Sequence, residues 1–195
     1  MHSPEVAPVY IVLGAGRASR MGFPKVFERL GDAAPLERIA AALSERPFVV
    51  VVDPTHESIA RRMAPKAQAI AVNDAPERGM VHSLRLGLAA VETIRPFGVL
   101  LGDMPFLNPE TLATLERALA DGADVVHPVD DTGVGGHPVL FSTVARSRVP
   151  LLPDGDTLRQ LRDDPSLRRA AVLVRDRGAF VDLDEPAQWE AARDA

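Results

Sequence analysis

The chain contains no cysteine. That single absence removes disulfides, thiolate zinc sites, iron–sulfur clusters and a cysteine nucleophile. Basic residues are outnumbered by acidic ones, 22 to 27, for a formal net charge of −5. Such a chain repels polyanions, so neither nucleic acid nor an anionic membrane is expected as a partner. No apolar run approaches the ~20 residues needed to cross a bilayer. The opening segment MHSPEVAP also lacks the basic-then-apolar order of a secretory signal, so a cytoplasmic location is expected. No Ser/Gly-rich linker, low-complexity tract or internal repeat divides the sequence. Its 195 residues, 46% hydrophobic and 25% charged, suit one ordinary domain, read as residues 9–195 behind a flexible N-terminus at 1–8.

What is present is an alternation of short β-branched runs with longer stretches of helical period, the pattern of a mainly parallel α/β sheet. Strands are expected at Val9 to Leu13, Phe48 to Val52, Ala69 to Asn73 and Gly98 to Leu101, with later ones around Val125, Val126 and Val139 to Phe141. Helices are expected at Leu36 to Glu45, Glu57 to Met63, Val81 to Ile94, Glu110 to Ala120 and Glu185 to Ala192. The last opens on Asp184-Glu185-Pro186, an acidic cap with proline in the first turn. Leu183 and Trp189 read as core residues of the final strand and helix. The fold class is therefore a single-domain, Rossmann-like, three-layer α/β sandwich. In such sheets ligands bind beyond the carboxyl ends of the strands. The turn-rich stretch Asp130 to Gly136 is placed as a loop at that edge.

Directly after the first strand stand Leu13, Gly14, Ala15, Gly16, Arg17, Ala18, Ser19, Arg20, Met21, Gly22, Phe23, Pro24 and Lys25. Small residues let backbone N–H groups approach phosphate oxygens, and three cations within nine residues neutralise them, so the segment reads as a phosphate cradle. It is neither a dinucleotide fingerprint, since Ser19 holds the place of the third glycine, nor a P-loop, since no Gly-Lys-Ser/Thr follows. A lone Gly-x-Gly with solvated arginines is the competing reading of the first residues alone. Each carboxylate likewise has a plain alternative: Asp103 as the cap of a following helix, and Asp182 and Asp184 as turn and cap residues. His2, His56 and His127 have no motif around them and are assigned no role.

The fuller pattern, Gly-x-Gly-x-x-Ser-Arg-Met-Gly-x-Pro-Lys, resembles the signature of the nucleotidyltransferase superfamily that includes the molybdenum cofactor cytidylyl- and guanylyltransferases. Four further segments, in the same order, extend the resemblance over almost the whole chain. They are Asn73 with Glu77 to Leu84; Gly102-Asp103-Met104-Pro105; Gly136-His137-Pro138; and Asp182-Leu183-Asp184-Glu185-Pro186. The resemblance implies a nucleotide-diphospho-sugar transferase fold and a set of roles. Leu13, Gly14, Ala15, Gly16, Arg17, Ser19, Arg20, Lys25, Asn73, Gly79, Met80 and Ser83 would bind the nucleotide, with Arg20, Lys25 and Asp103 catalytic. Asp103 with Asp182 or Asp184 would hold Mg²⁺, and Gly136, His137 and Pro138 would meet the acceptor. Departures from the pattern are Gly14, the segment Asp156-Thr157-Leu158-Arg159, and Glu185 before Pro186.

Nucleotidyl transfer fits these residue types. A phosphate acceptor has a second pKa near ~6 and is mostly dianionic at pH 7. The site must then supply positive charge and in-line geometry rather than a base. Hard oxygen ligands from strand ends suit Mg²⁺. Three readings stay open. The first is a CTP:molybdenum cofactor cytidylyltransferase, with CTP and molybdopterin as substrates and transient contact with a molybdoenzyme. The second is a related transferase using GTP or another NTP with a sugar- or alcohol-phosphate acceptor. The third is a nucleotide-binding module without turnover.

Overall fold

In a computed structural model that describes residues 6–15, 24–43 and 45–193, seven strands form one sheet in the order β3-β2-β1-β4-β6-β5-β7. They are β1 (Val9–Leu13), β2 (Phe48–Val52), β3 (Ala69–Val72), β4 (Phe97–Leu101), β5 (Val125–Val129), β6 (Val139–Phe141) and β7 (Arg169–Leu173). All neighbours run parallel except β6, which is antiparallel to both β4 and β5. The helices are α1 (Pro35–Ala42), α2 (Glu57–Met63), α3 (Met80–Ala89), α4 (Pro109–Ala120), α5 (Thr143–Arg146), α6 (Arg159–Arg162) and α7 (Pro186–Arg193). Among the described residues no helix is long and apolar enough to cross a membrane. Of the expected flexible N-terminus, residues 1–5 lie outside the described residues.

β1 is buried on both faces, which is why it reads as an unbroken apolar run. Tyr10 and Val12 pack with Leu36 and Ile39 of α1, Ala60 of α2, and Leu112 and Leu115 of α4. Val9 and Ile11 face the opposite layer, with Val81, Leu84 and Leu88 of α3, Ala145 of α5 and Leu161 of α6. Two helical layers thus sandwich the sheet, as the alternation of strand and helix predicts. Where Tyr10 would bury a hydroxyl, Glu116 accepts its hydrogen bond at 2.7 Å and Arg46 Nε holds the same carboxylate at 2.7 Å. Burial first, and then the Glu116 charge, push the Tyr10 phenol well above its ordinary pKa. It stays a neutral donor.

Two expectations are corrected, and one strand was not expected. Helix α3 ends at Ala89 rather than running to Ile94, because Arg146 donates to the carbonyls of Leu88 and Arg95 and takes over the helix end. Strand β7 carries only weak strand formers in Arg169-Ala170-Ala171 and alternates exposed with half-buried residues at the sheet edge. Its place comes from pairing with β5. Finally, the strand expected around Leu183 does not form, so Asp182 and Asp184 do not share a strand face. Residues 181–184 are irregular, pinned by Leu183 N–H donating to Asp103 O at 3.1 Å and by the buried cluster of Leu183, Trp189 and Leu30.

That pinning depends on a close backbone approach. A Cβ at Gly178 would lie 1.9 Å from the carbonyl oxygen of Phe106 and 2.9 Å from Leu107 N. Backbone cannot yield as a flexible side chain can. Gly178→Ala is expected to lower unfolding stability by about 2–3 kcal/mol, by overpacking. A denaturant midpoint unchanged from wild type contradicts this.

Candidate active site

Strands β1, β2, β3 and β4 end at one edge of the sheet, and the chain leaves each end with a small or polar residue: Gly14, Asp53, Asn73 and Gly102. Gly14 N–H donates to Val51 O at 2.8 Å and Gly102 N–H to Leu13 O at 3.0 Å, so the main chain continues each ladder one step past the strands. A Cβ at Gly102 would sit 3.0 Å from Leu13 O, so glycine lets the ends of β1 and β4 pack this closely. A cleft of about 550 Å³ opens here.

At one end of the cleft, Lys25 gathers two carboxylates. Its Nζ lies 2.8 Å from Asp103 Oδ2, donates to Asp184 Oδ1, and reaches Leu183 O at 3.3 Å. Burial works against the ammonium, but the hydrogen bonds and charges of Asp103 and Asp184 outweigh it and hold the Lys25 pKa above its ordinary value. Asp182 stands in the opposite condition. Burial, then the charges of Asp184 and Asp103, push its carboxyl above the usual range, against the pull of Lys25 and a Gln188 hydrogen bond. Negative charge is in excess here. Asp103 Oδ1 is buried with no hydrogen-bond partner, although an unpaired buried carboxylate oxygen is costly. Among the described residues no three His, Asp or Glu side chains form a complete cation cage. An all-oxygen pair with an orphaned oxygen nevertheless fits a hard cation that takes one or two carboxylates and fills its shell with water and phosphate.

Leu13, Gly14, Ala15, Lys25, Gly79, Met80, Ser83, Asp103 and Asp184 all line the cleft. Gly79 adopts φ +89°, and the would-be Cβ lies 3.2 Å from Gly155 Cα, so the Gly-Met turn admits no side chain. Asn73 does not line the cleft. It is wholly buried, and its Nδ2 donates to Ser83 Oγ at 2.8 Å, which makes it the prop for a serine that does. Gly136, His137 and Pro138 also lie off the cleft wall. Gly136 packs against Ala179 O and the Phe180 ring, and His137 N–H donates to Ala179 O at 2.8 Å before a cis peptide to Pro138. Burial pushes the His137 imidazole down, opposed by the Val99 backbone and the charges of Asp103 and Asp182. The His137 ring therefore lies within electrostatic reach of Asp103 and Asp182. Gly16, Arg17, Ser19 and Arg20 lie outside the described residues.

Sequence reading missed Phe27, Asp53, Thr55 and His56, which form one wall of the cleft. The available signal was Asp53 directly after β2, in the position that Asp103 occupies near the end of β4.

Because Asp182 is held against like charges, Asp182→Asn is expected to raise the melting point in metal-free buffer at pH 7, by up to about 1 kcal/mol of stability. A fall in melting point would contradict the charge excess.

A family model described as MobA-like NTP transferase domain matches residues 10–172. The "Bifunctional protein GlmU" of Azorhizobium caulinodans is 31% identical over 167 residues, which is 79% of this chain and 34% of that protein. The chain thus spans about a third of the length of such curated relatives. Among solved structures, Rv0371c of Mycobacterium tuberculosis superimposes with a TM-score of 0.79 at 22% identity, covering 99% of this chain and 100% of that one. A complex of Rv0371c with manganese gives 0.75 at 20% identity, covering 98% and 100%. The molybdopterin-guanine dinucleotide biosynthesis protein A of Archaeoglobus fulgidus gives 0.69 at 19% identity, covering 95% and 97%. With the family model covering most of the sequence, the chain belongs to the MobA-like NTP transferase domain family, among the nucleotidyltransferases.

Proposed function

We propose that the chain is a Mg²⁺-dependent nucleotidyltransferase that moves a nucleoside monophosphate from an NTP to a phosphorylated acceptor, releasing pyrophosphate, and that its substrates are CTP and the molybdopterin phosphate. The observation that carries this reading is the juxtaposition of Lys25, Asp103 and Asp184 at the mouth of a cleft floored by Gly14 and Ala15. A pure binding module has no use for an excess of carboxylates.

In the proposed reaction an acceptor phosphate oxygen attacks the α-phosphorus, and the bond to pyrophosphate breaks on the opposite side. Asp103, with Asp184 or Asp182, would hold the cation; a divalent ion bound there would supply the charge that lets two anions meet. The manganese complex of Rv0371c is consistent with such a site. Lys25 provides a positioned point charge for the phosphates and for the charge that builds on pyrophosphate. The backbone of Gly14 and Ala15 admits the nucleotide closely. Gly16, Ser19, Arg17 and Arg20 complete the proposed cradle, with Arg20 on the β- and γ-phosphates. Gly79, Met80 and Ser83, propped by Asn73, face the nucleoside. Gly136, His137 and Pro138, beside Asp103 and Asp182, are the proposed acceptor side.

CTP is favoured by Ala15 in the loop and by Gly136-His137-Pro138, which follow the cytidylyl form of the resemblance. A second reading, GTP or another NTP with a sugar- or alcohol-phosphate acceptor, is supported by Gly14, by Asp156 to Arg159 and by Glu185, where the sequence leaves that form.

The test is pyrophosphate release with each of the four NTPs and Mg²⁺, with and without molybdopterin. Release with CTP only when molybdopterin is present is the expected result. Lys25→Ala and Asp103→Ala are each expected to lower turnover by more than ~100-fold, the scale of losing one transition-state donor. Near-normal release by either variant overturns their assignment.

A further inference from the structure

The wall missed in the sequence carries its own chemistry. Phe27 is buried, and the His56 ring lies parallel to it, with centroids 4.5 Å apart and planes 5° apart. Asp53 holds the ring by its edge: His56 Nδ1 lies 2.6 Å from Asp53 Oδ2. The other oxygen, Asp53 Oδ1, accepts from Thr55 N–H at 2.9 Å and from the Thr55 hydroxyl. Asp53 is thereby kept ionised: burial is outweighed by the Thr55 and His56 hydrogen bonds, and its pKa falls below the ordinary value.

An ionised carboxylate only accepts, so Nδ1 must carry the hydrogen. In the neutral ring Nε2 is then an acceptor, and no hydrogen-bond partner holds it among the described residues. The His56 side chain is one quarter exposed, at 25%, and lines the cleft. Stack and hydrogen bond together leave the ring little freedom, as a recognition group requires.

Its place in the sheet says what it meets. Lys25 and Asp103 lie at the β4 side of β1, where the phosphates and cation belong. Asp53 and His56 follow β2, on the other side of β1, with Gly14 and Ala15 between the two. A nucleotide whose phosphates lie at Lys25 therefore extends its base toward His56.

We propose that His56, held by Asp53 and backed by Phe27, reads the nucleobase: its Nε2 accepts a hydrogen bond from an exocyclic amino group and so selects cytosine over uracil. The inference rests on the nucleotidyltransferase reading of the cleft. Cytosine presents an N4 amino donor at the position where uracil presents an oxygen. Uracil would set acceptor against acceptor, and a site built to hydrogen-bond one group disfavours the analogue lacking it.

The test is calorimetric titration of the full chain with each of the four NTPs at pH 8.5 in Mg²⁺, comparing CTP with UTP, for wild type and for His56→Phe. The variant keeps a ring on Phe27 and removes both nitrogens. Wild type is expected to bind CTP about tenfold tighter than UTP, the scale of one good hydrogen bond. His56→Phe is expected to bring the two affinities within about twofold. Asp53→Asn, whose amide donates as well as accepts and no longer fixes the tautomer, is expected to give an intermediate ratio, and serves if the first variant does not fold. A ratio unmoved by either folded variant overturns the proposal, as does a wild type that prefers UTP or binds both equally. A wild type that binds none of the four NTPs overturns the nucleotidyltransferase reading itself.

Discussion

One ammonium, on Lys25, is shared by two carboxylates that arrive from distant parts of the chain. Asp103 comes from the end of β4, and Asp184 from the irregular segment that leads into α7. Almost everything about this end of the cleft follows from that contact. It ties the closing segment of the chain to the central strands and holds an ionised lysine in a half-buried place. The adjoining Asp182 is still held above the normal carboxylate range. The cluster is electrostatically incomplete, and under the proposed function nucleotide and cation complete it together.

The sheet makes that cluster possible. Parallel strands send their carboxyl ends, and the residues after them, to one edge. Gly14, Asp53, Asn73 and Gly102 follow β1, β2, β3 and β4, so four loops meet without any one of them being long. The insertion of antiparallel β6 between β4 and β5 lets His137, just ahead of β6, come up beside Asp103. The backbone contact at Gly178 and the Leu183 hydrogen bond to Asp103 fix the height of the Asp182 to Asp184 segment. The proposed cation and nucleobase ends are then separated by the width of β1 and its glycine-bearing loop.

Much of this was legible in the sequence, and for definite reasons. Strands buried on both faces, such as β1 and β2, announce themselves as uninterrupted apolar runs. Asp103 stands just past the end of β4 and Lys25 twelve residues after the end of β1, in patterns dense enough to carry a family resemblance. What was hidden depends on tertiary partners. Strand β7 exists because β5 lies beside it, α3 stops early because Arg146 caps it, and the Asp182 to Asp184 segment is bent by Trp189 and Leu30. Asn73 resembled a ligand but is buried off the cleft and props Ser83, which lines it. His56 looked like an isolated histidine because its partner Phe27 is far away in sequence, and its carboxylate, Asp53, belongs to no motif.

The formal charge of −5 also takes on a location. Part of the acidic excess is concentrated at Asp103, Asp182 and Asp184, where under the proposed function an anionic substrate would arrive together with a cation. Titration of the protein with Mn²⁺, followed by electron paramagnetic resonance in the presence and absence of CTP, puts that pairing to the test. One bound ion per chain is expected, held more tightly with CTP present and lost in Asp103→Asn. Equal binding by wild type and Asp103→Asn, indifferent to the nucleotide, would contradict a carboxylate-held cation at this site.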